Sequence, residues 1–188
     1  MHFRPLLGCL MALSLSLVPV AAFAQDVTMT GSPLPDQPYT LIHPKAMTVI
    51  GEPGGPVTIN HPGAPLQCVL TVVAVEDTAW TADAALAALD DAAVSQGWAE
   101  TFPGFALSNK STTAYQNNTA LLYEGTSTDS PQGVPLTVVH TETVDAGNGY
   151  SLDCFFATEM AEQVRPLVDF IIANFSTRQD AQPVTTLQ

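Results

Sequence analysis

His140 and Glu142 are the two side chains in this sequence whose types and spacing best suit acid–base chemistry. They lie two positions apart in a predicted strand, so both point to one face and can touch. A hydrolase needs a histidine that a carboxylate orients beside a hydroxyl nucleophile. However, Leu136, Val138 and Val144 share that face, and this pattern favours a satisfied or solvated histidine. We assign no catalytic residue and keep a hydrolase that uses His140 as an alternative.

A second set of residues suits a transition-metal ion. His43, Met47 and His61 lie close together in the sequence, and copper carriers outside the cytoplasm use histidine and methionine ligands. Their spacing matches no compact motif, so an extracytoplasmic copper- or zinc-binding protein is a further alternative. The sequence also lacks a nucleophile elbow, a zinc-protease helix and a glycine-rich phosphate loop. We therefore predict a protein that has no cofactor and is not an enzyme.

Residues 1–24 predict the compartment in which the protein works. A short basic start precedes an apolar run from Leu6 to Val20, and Ala22-Phe23-Ala24 matches the small-x-small cleavage rule. We predict a signal peptide that is cut between Ala24 and Gln25. The protein would then be periplasmic or secreted.

The apolar run has two other possible roles, a membrane anchor and a lipoprotein signal. An uncleaved membrane anchor needs roughly 20 apolar residues, and this run is shorter. A lipoprotein is suggested by Leu6-Leu7-Gly8-Cys9, but Cys9 precedes most of the apolar run instead of following it. We expect cleavage, after which no segment would insert stably into a membrane.

Cys68 and Cys154 are the only cysteines that follow the predicted cleavage site. In an oxidising compartment such a pair forms a disulfide more often than not, and the wide spacing excludes a CxxC redox site or a zinc cluster. Closing so long a loop stabilises the fold by roughly 4 kcal/mol in the loop-entropy picture. We predict a Cys68–Cys154 disulfide.

The charge balance limits the partners that the protein can have. The chain carries 18 acidic and 5 basic residues, with a formal net charge of −13. Cleavage would remove one basic residue, Arg4, and no acidic one. A surface this acidic repels phosphate backbones, so we expect no nucleic-acid binding. The acidic residues are scattered, which is typical of a soluble protein. We expect a monomer.

The predicted elements alternate in a pattern typical of an α+β domain. Leu66 to Glu76 is the most apolar strand and is apolar on both faces, so we expect it to be central and covered from both sides. The strands joined by tight turns must be antiparallel neighbours. The predicted strands cover 46–50, 57–60, 66–76, 105–115, 119–126, 134–144 and 149–157, and the two main helices cover 82–96 and 158–176.

These elements divide the chain into four parts. Residues 1–24 are the signal peptide, 25–38 a flexible leader, 39–176 a single α+β domain and 177–188 a disordered tail. Trp80 and Trp98 flank the first helix, where they either cap the core or line a pocket between helix and sheet.

Four segments of the chain carry a family resemblance. They are Asn118-Thr-Ala-Leu-Leu-Tyr-Glu-Gly125, Gly133-Val-Pro-Leu-Thr-Val-Val139, Gly149-Tyr-Ser-Leu-Asp-Cys154 and Val168-Asp-Phe-Ile-Ile-Ala-Asn-Phe-Ser176. They resemble the C-terminal half of Mog1/PsbP-like proteins, in particular exported bacterial proteins of the DcrB type. The resemblance covers about residues 39–176 and implies an α/β/α sandwich. Members of that family are mostly non-enzymatic accessory or binding modules, so it implies a protein that acts by contact with another protein or a small ligand.

Overall fold

The computed structural model describes residues 27–31, 37–52 and 54–184. The predicted signal peptide and its cleavage site between Ala24 and Gln25 lie outside these residues. Within the described part of the chain, no helix has the length and apolar character to cross a bilayer.

Nine strands lie in the described residues, and seven of them form one antiparallel sheet. The strands are Val27–Gly31 (β1), Thr40–Pro44 (β2), Thr48–Gly51 (β3), Val57–Asn60 (β4), Leu66–Ala74 (β5), Phe105–Ala114 (β6), Thr119–Ser127 (β7), Leu136–Asp145 (β8) and Asn148–Ala157 (β9). The large sheet has the order β3-β4-β5-β9-β8-β7-β6, and β1 pairs with β2 in a separate two-stranded sheet. The predicted α+β class is confirmed.

The helices lie on opposite faces of the large sheet. They are Ala82–Ala88 (α1), Asp91–Ala99 (α2) and Ala161–Asn174 (α3), the last preceded by the 3-10 turn Thr158–Met160. Helix α3 packs against β2 and β9, whereas α1 and α2 pack against β6 and β7. We call the side of the sheet that α3 covers the α3 face and the other side the open face.

The main core lies between α3 and the sheet, and the predicted disulfide is in it. Cys68 of β5 stands directly opposite Cys154 of β9, and the two side chains form a disulfide across 86 positions of sequence. Both are fully buried. The bond therefore joins the strand that precedes α1 to the strand that precedes α3.

Strand β5 is covered on one face only, which corrects the prediction made from its sequence. Cys68 and Leu70 are buried on the α3 face, but Val73 on the open face is 53% exposed and Val69 is half-buried. The reason is the position of α1 and α2, which pack over β6 and β7 at the far side of the sheet. The apolar run correctly predicted a central position for β5 in the sheet. It did not predict that the second face of the strand would be open to solvent and not covered by a helix.

The first predicted helix, over 82–96, is two helices in the structure. Leu89 adopts an extended conformation, with φ −64° and ψ 117°, and ends α1. Asp90 then caps α2, since its carboxylate accepts hydrogen bonds from the backbone N–H groups of Ala92 and Ala93. The cap at Asp90 therefore starts a new helix, although apolar residues continue at helical spacing through 82–96. The predicted end at 96 is also too early, because α2 continues through Gly97 to Ala99.

The structure describes contacts on both sides of the domain predicted over 39–176. Strand β1 lies within the segment assigned as a leader and pairs with β2 along its whole length. At the other end, the Thr177 hydroxyl donates to the Asp145 carboxylate, 2.5 Å away, and the Val184 N–H donates to Asn174. The division into a leader over 25–38 and a tail over 177–188 stays a prediction, and residues 185–188 lie outside the described part.

Candidate functional site

His140 lies at the middle of β8 on the open face, in a row of side chains that crosses three strands. The antiparallel register places it directly opposite Tyr123 of β7 on one side and Asp153 of β9 on the other. Glu142 is two residues further along β8 and therefore shares the open face. We call His140, Glu142 and Asp153 the histidine–carboxylate cluster.

Both ring nitrogens of His140 are engaged by carboxylates. Its Nδ1 lies 2.5 Å from an oxygen of Asp153, and its Nε2 lies 3.4 Å from an oxygen of Glu142. The first contact is a short charge-assisted hydrogen bond, whereas the second is long and weaker. The Glu142 side chain is 38% exposed and that of Asp153 is 17% exposed, so Glu142 is the carboxylate that solvent reaches.

Aromatic rings hold the imidazole in place from the side of α2. Tyr123 stacks on His140 with ring centroids 4.3 Å apart, and Trp98 meets the imidazole edge-on at 6.3 Å. The Trp98 indole N–H donates to the Tyr123 hydroxyl at 2.9 Å. These two rings thus hold His140 in one orientation.

The surroundings of His140 decide its charge. Burial lowers the pKa of His140, but the hydrogen bonds and charges of Asp153 and Glu142 raise it, and the outcome is a pKa of about 9. His140 is therefore an imidazolium at neutral pH. Burial raises the pKa of Tyr123 to about 12, against the hydrogen bond from Trp98, so the phenol stays neutral.

This geometry gives no support to the hydrolase alternative. A general base must be unprotonated near its working pH and must have one nitrogen free for the nucleophile. His140 is protonated, and both of its nitrogens face carboxylates. The sequence correctly placed His140 and Glu142 on one face, but it missed Asp153 and Tyr123 and did not link Trp98 to His140. Strand alternation alone could have placed Asp153 on this face, because it separates the inward-facing Leu152 and Cys154.

Two grooves lie on the open face on either side of the cluster. The first has a volume of about 300 Å³, and we call it the Trp80 groove. The second, of about 330 Å³, lies toward the other end of the strands and includes His61, Gln67 and Phe155 among its residues. The Trp80 groove is lined by Thr71, Val73, Val75, Trp80, Glu142, Thr143, Val144, Gly149, Tyr150 and Ser151. Trp80 and Trp98 were expected either to cap the core or to line a pocket. Trp80 lines a groove that contains a cluster carboxylate, and Trp98 packs against His140 and the small core of Phe102 and Phe105.

The structure places the three metal candidates in different surroundings. Met47 is buried in the core on the α3 face, whereas His61 lines the second groove on the open face and accepts a hydrogen bond from the Gly63 N–H. His43 is buried in β2 beside the Pro44 carbonyl, and burial lowers its pKa. Across the described ranges, no group of three or more His, Cys, Asp and Glu side chains could hold a metal ion. The copper or zinc hypothesis therefore gains no support from geometry.

Comparison with solved structures identifies the fold. The chain is similar to the cyanobacterial PsbP protein CyanoP from Synechocystis sp. PCC 6803, with 12% identity, a TM-score of 0.57, and coverage of 84% of this chain and 95% of that one. A weaker similarity links it to LpqN, involved in cell envelope biogenesis of Mycobacterium tuberculosis, with 18% identity, a TM-score of 0.46, and coverage of 80% and 91%.

Similarity at this level shows a PsbP-like fold and nothing about activity. No protein-family model matches the sequence, and no curated protein matches it either. The predicted Mog1/PsbP-like architecture is confirmed as a fold. The finer resemblance to DcrB-type proteins stays a prediction.

Proposed function

We propose that this chain is an exported, non-catalytic binding protein that contacts its partner or ligand through the open face of the sheet. One observation carries the proposal. The central strand β5 presents apolar side chains to solvent beside two grooves, and the histidine at the middle of this face has both nitrogens occupied. Such a face can bind, but His140 has no free nitrogen with which to take up a proton.

The exposed apolar residues support a binding role. Ile50 of β3 is 65% exposed and Val73 of β5 is 53% exposed, and both point to the open face. Half-buried Val69 of β5 lies on the same face. Apolar side chains gathered on one exposed face are typical of interaction sites.

The rigidity of the face supports the same role. The disulfide joins β5 to β9 directly behind the residues that carry the open face, and the register between these strands is continuous from Leu66 to Ala74. A surface that is already ordered loses little conformational entropy on binding. The open face is therefore preorganised for contact.

Export is part of the proposal and rests on two features. The N-terminal sequence has the basic start, apolar run and cleavage motif of a signal peptide. The chain also contains a disulfide, and disulfides persist mainly in oxidising compartments. Intact-mass analysis of the protein recovered from its host tests this point. We expect a mature chain that begins at Gln25 and contains no free thiol, and a chain that still carries residues 1–24 would contradict it.

Partner capture from the native compartment tests the binding role. We expect the mature protein to retain a partner or ligand, and Val73→Arg to reduce the captured amount at least tenfold because it puts a charge on the apolar surface. Ala74→Arg is the matched control, since Ala74 is exposed at the same strand end but points to the other face. Equal capture by all three proteins, or no capture by the unmodified one, would overturn the proposal.

A further inference from the structure

The Trp80 groove carries a more specific chemistry than the rest of the open face. We propose that it is a binding site for an alkylammonium or guanidinium group. The inference rests on the proposed function, because the groove is part of the open face, but it names the chemical class of the ligand. Its size lies at the lower end of small-molecule sites, which suits a group as small as the end of a lysine or arginine side chain.

The charge of the histidine–carboxylate cluster points to a cation. One imidazolium faces two carboxylates, so the cluster keeps one unit of negative charge at neutral pH. Asp153 makes the short contact to His140, and Glu142 makes the long one. The excess charge is therefore concentrated at Glu142, which is the more exposed of the two and lines the groove.

The other walls of the groove complement a cation that has an alkyl stem. Trp80 presents an indole, the aromatic ring that attracts ammonium and guanidinium groups most strongly. Thr71 and Ser151 supply hydroxyl oxygens that can accept hydrogen bonds. Val73, Val75 and Val144 supply apolar surface for methylene groups.

Nothing on the groove wall neutralises Glu142 from the solvent side. None of the described residues that line it is Lys, Arg or His. The contact with His140 comes from within the sheet and is long. The net charge of the whole chain is −13, so long-range attraction favours the approach of cations and disfavours anions.

Titration of the full mature chain with small probes tests the proposal. Agmatine and n-butylammonium are the cations, and 1-butanol is the neutral control of similar shape. We expect both cations to perturb the NMR signal of the Trp80 indole N–H in a saturable way and 1-butanol to have no such effect. Absence of saturable binding by either cation would sink the proposal.

Variants locate the site. Glu142→Gln keeps the shape and an acceptor for His140 but removes the charge, and we expect it to weaken agmatine binding at least tenfold. Glu159→Gln is the matched control, because it removes the same charge from an exposed turn outside the groove, and we expect less than a twofold change. Equal affinity in Glu142→Gln and the unmodified protein contradicts a site at this carboxylate.

Two further variants protect the test against misfolding. Trp80→Leu removes the indole and leaves the cluster intact, and we expect a three- to tenfold loss of affinity. Thr71→Lys places an ammonium group in the groove itself and should abolish agmatine binding. If both variants fold and bind agmatine as the unmodified protein does, the groove is not the site.

A peptide arm distinguishes the two sources of the same chemistry. A blocked Gly-Gly-Lys-Gly-Gly peptide stands for a side chain of a partner protein, and agmatine stands for a free small molecule. Tighter binding of the peptide assigns the site to a partner's lysine, and tighter binding of agmatine assigns it to a metabolite.

Partner capture by Glu142→Gln separates the cation-site proposal from the proposal of a binding face. If Glu142→Gln keeps the capture that Val73→Arg loses, and also keeps agmatine binding, the binding face stands and the cation site falls.

Discussion

At the scale of single residues, His140 is a positive charge held between two carboxylates of the sheet. Its two nitrogens bind carboxylates, and a tyrosine ring stacks on it. A buried ion pair of this kind is weak evidence for stability as a whole, but removing one partner from it is costly. The cluster therefore makes both the stability and the charge of the open face depend on pH.

The pH dependence has a definite sign. The pKa of His140 is raised from an ordinary value of 6.5 to about 9, so the folded state binds the proton more tightly than the unfolded state. The stabilisation is complete below about pH 6.5 and is lost as the pH rises toward 9. It amounts to about 3 kcal/mol at most. Urea unfolding at a series of pH values should show the free energy of unfolding fall over this window.

Asp153→Asn should lower the pKa of His140 well below 9. The variant removes the charge and the strong acceptor at Nδ1, whereas the burial that lowers the pKa remains. An NMR titration of the His140 ring protons measures this value. Asp169→Asn on the exposed side of α3 is the control and should leave the titration unchanged. A His140 pKa near 6.5 in the unmodified protein would contradict the cluster.

Strand alternation places Asp153 on the same face as His140, but the pairing of the two residues depends on a register that the predicted strand bounds do not specify. The predicted strands over 134–144 and 149–157 leave a turn that is centred on Gly147. Such a turn would place Cys154 opposite His140. The structure has a tighter hairpin, in which Ala146 and Gly147 both have positive φ, 49° and 78°, as two-residue turns of type I′ require. This turn pairs His140 with Asp153. A shift of one residue exchanges the faces of a strand, so the site depends on the turn.

At the scale of elements, helices α1 and α2 define the site because they cover only part of the open face of the sheet. These helices stand over β6 and β7. Trp98, Phe102 and Phe105 form a small core between α2 and the sheet that holds the helix there. Strand β5 is left with one side open, whereas β9 is covered where Phe155 packs against Trp98 and Phe102. The sequence predicted one helix over 82–96 and did not predict the break at Leu89 that separates α1 from α2.

Gly125 tests the packing of this small core. A Cβ atom on Gly125 would lie 2.2 Å from the Phe105 ring and 2.7 Å from the Ala106 carbonyl oxygen, so Gly125→Ala must displace the ring or the edge strand. We expect the free energy of unfolding in urea to fall by about 1–3 kcal/mol, the range for overpacked cores. The loss should come with an unchanged denaturant slope.

Gly97 is the matched control for the same substitution. It lies inside α2, and a Cβ atom there would meet nothing within 4 Å. Gly97→Ala should raise the free energy of unfolding by about 0.5–1 kcal/mol, because alanine loses less backbone entropy in a helix. If the two variants change stability in the same direction, the crowding at Gly125 is not the cause.

At the scale of the whole molecule, the disulfide joins the two halves of the chain. It links β5 to β9 in the centre of the sheet, and both sulfur atoms are in the fully buried core under α3. Replacing both cysteines by alanine should lower the free energy of unfolding by about 2–4 kcal/mol. Reductant added to the folded protein should leave the intact mass unchanged until denaturant is also present. Rapid reduction without denaturant would show that the bond is not buried.

Much of this architecture follows from the sequence alone. The positions of β4 to β9, the antiparallel order at each tight turn and the Cys68–Cys154 bond are local or pairwise properties, set by alternation of apolar residues, turn residues and the count of cysteines. They require no knowledge of what packs above the sheet. The resemblance in residues 39–176 also predicted the right fold.

The tertiary structure alone decided which face of the sheet stays open and what lies on it. The apolar residues of β5 do not reveal whether a helix or solvent covers Val69 and Val73, because that depends on where α1 and α2 settle. Strand spacing does not pair His140 with Asp153, because a hairpin turn of two residues sets that register. Trp80 and Glu142 lie far apart in the chain and share a groove only in the folded protein. Composition and periodicity determine the elements, whereas long-range packing determines the site.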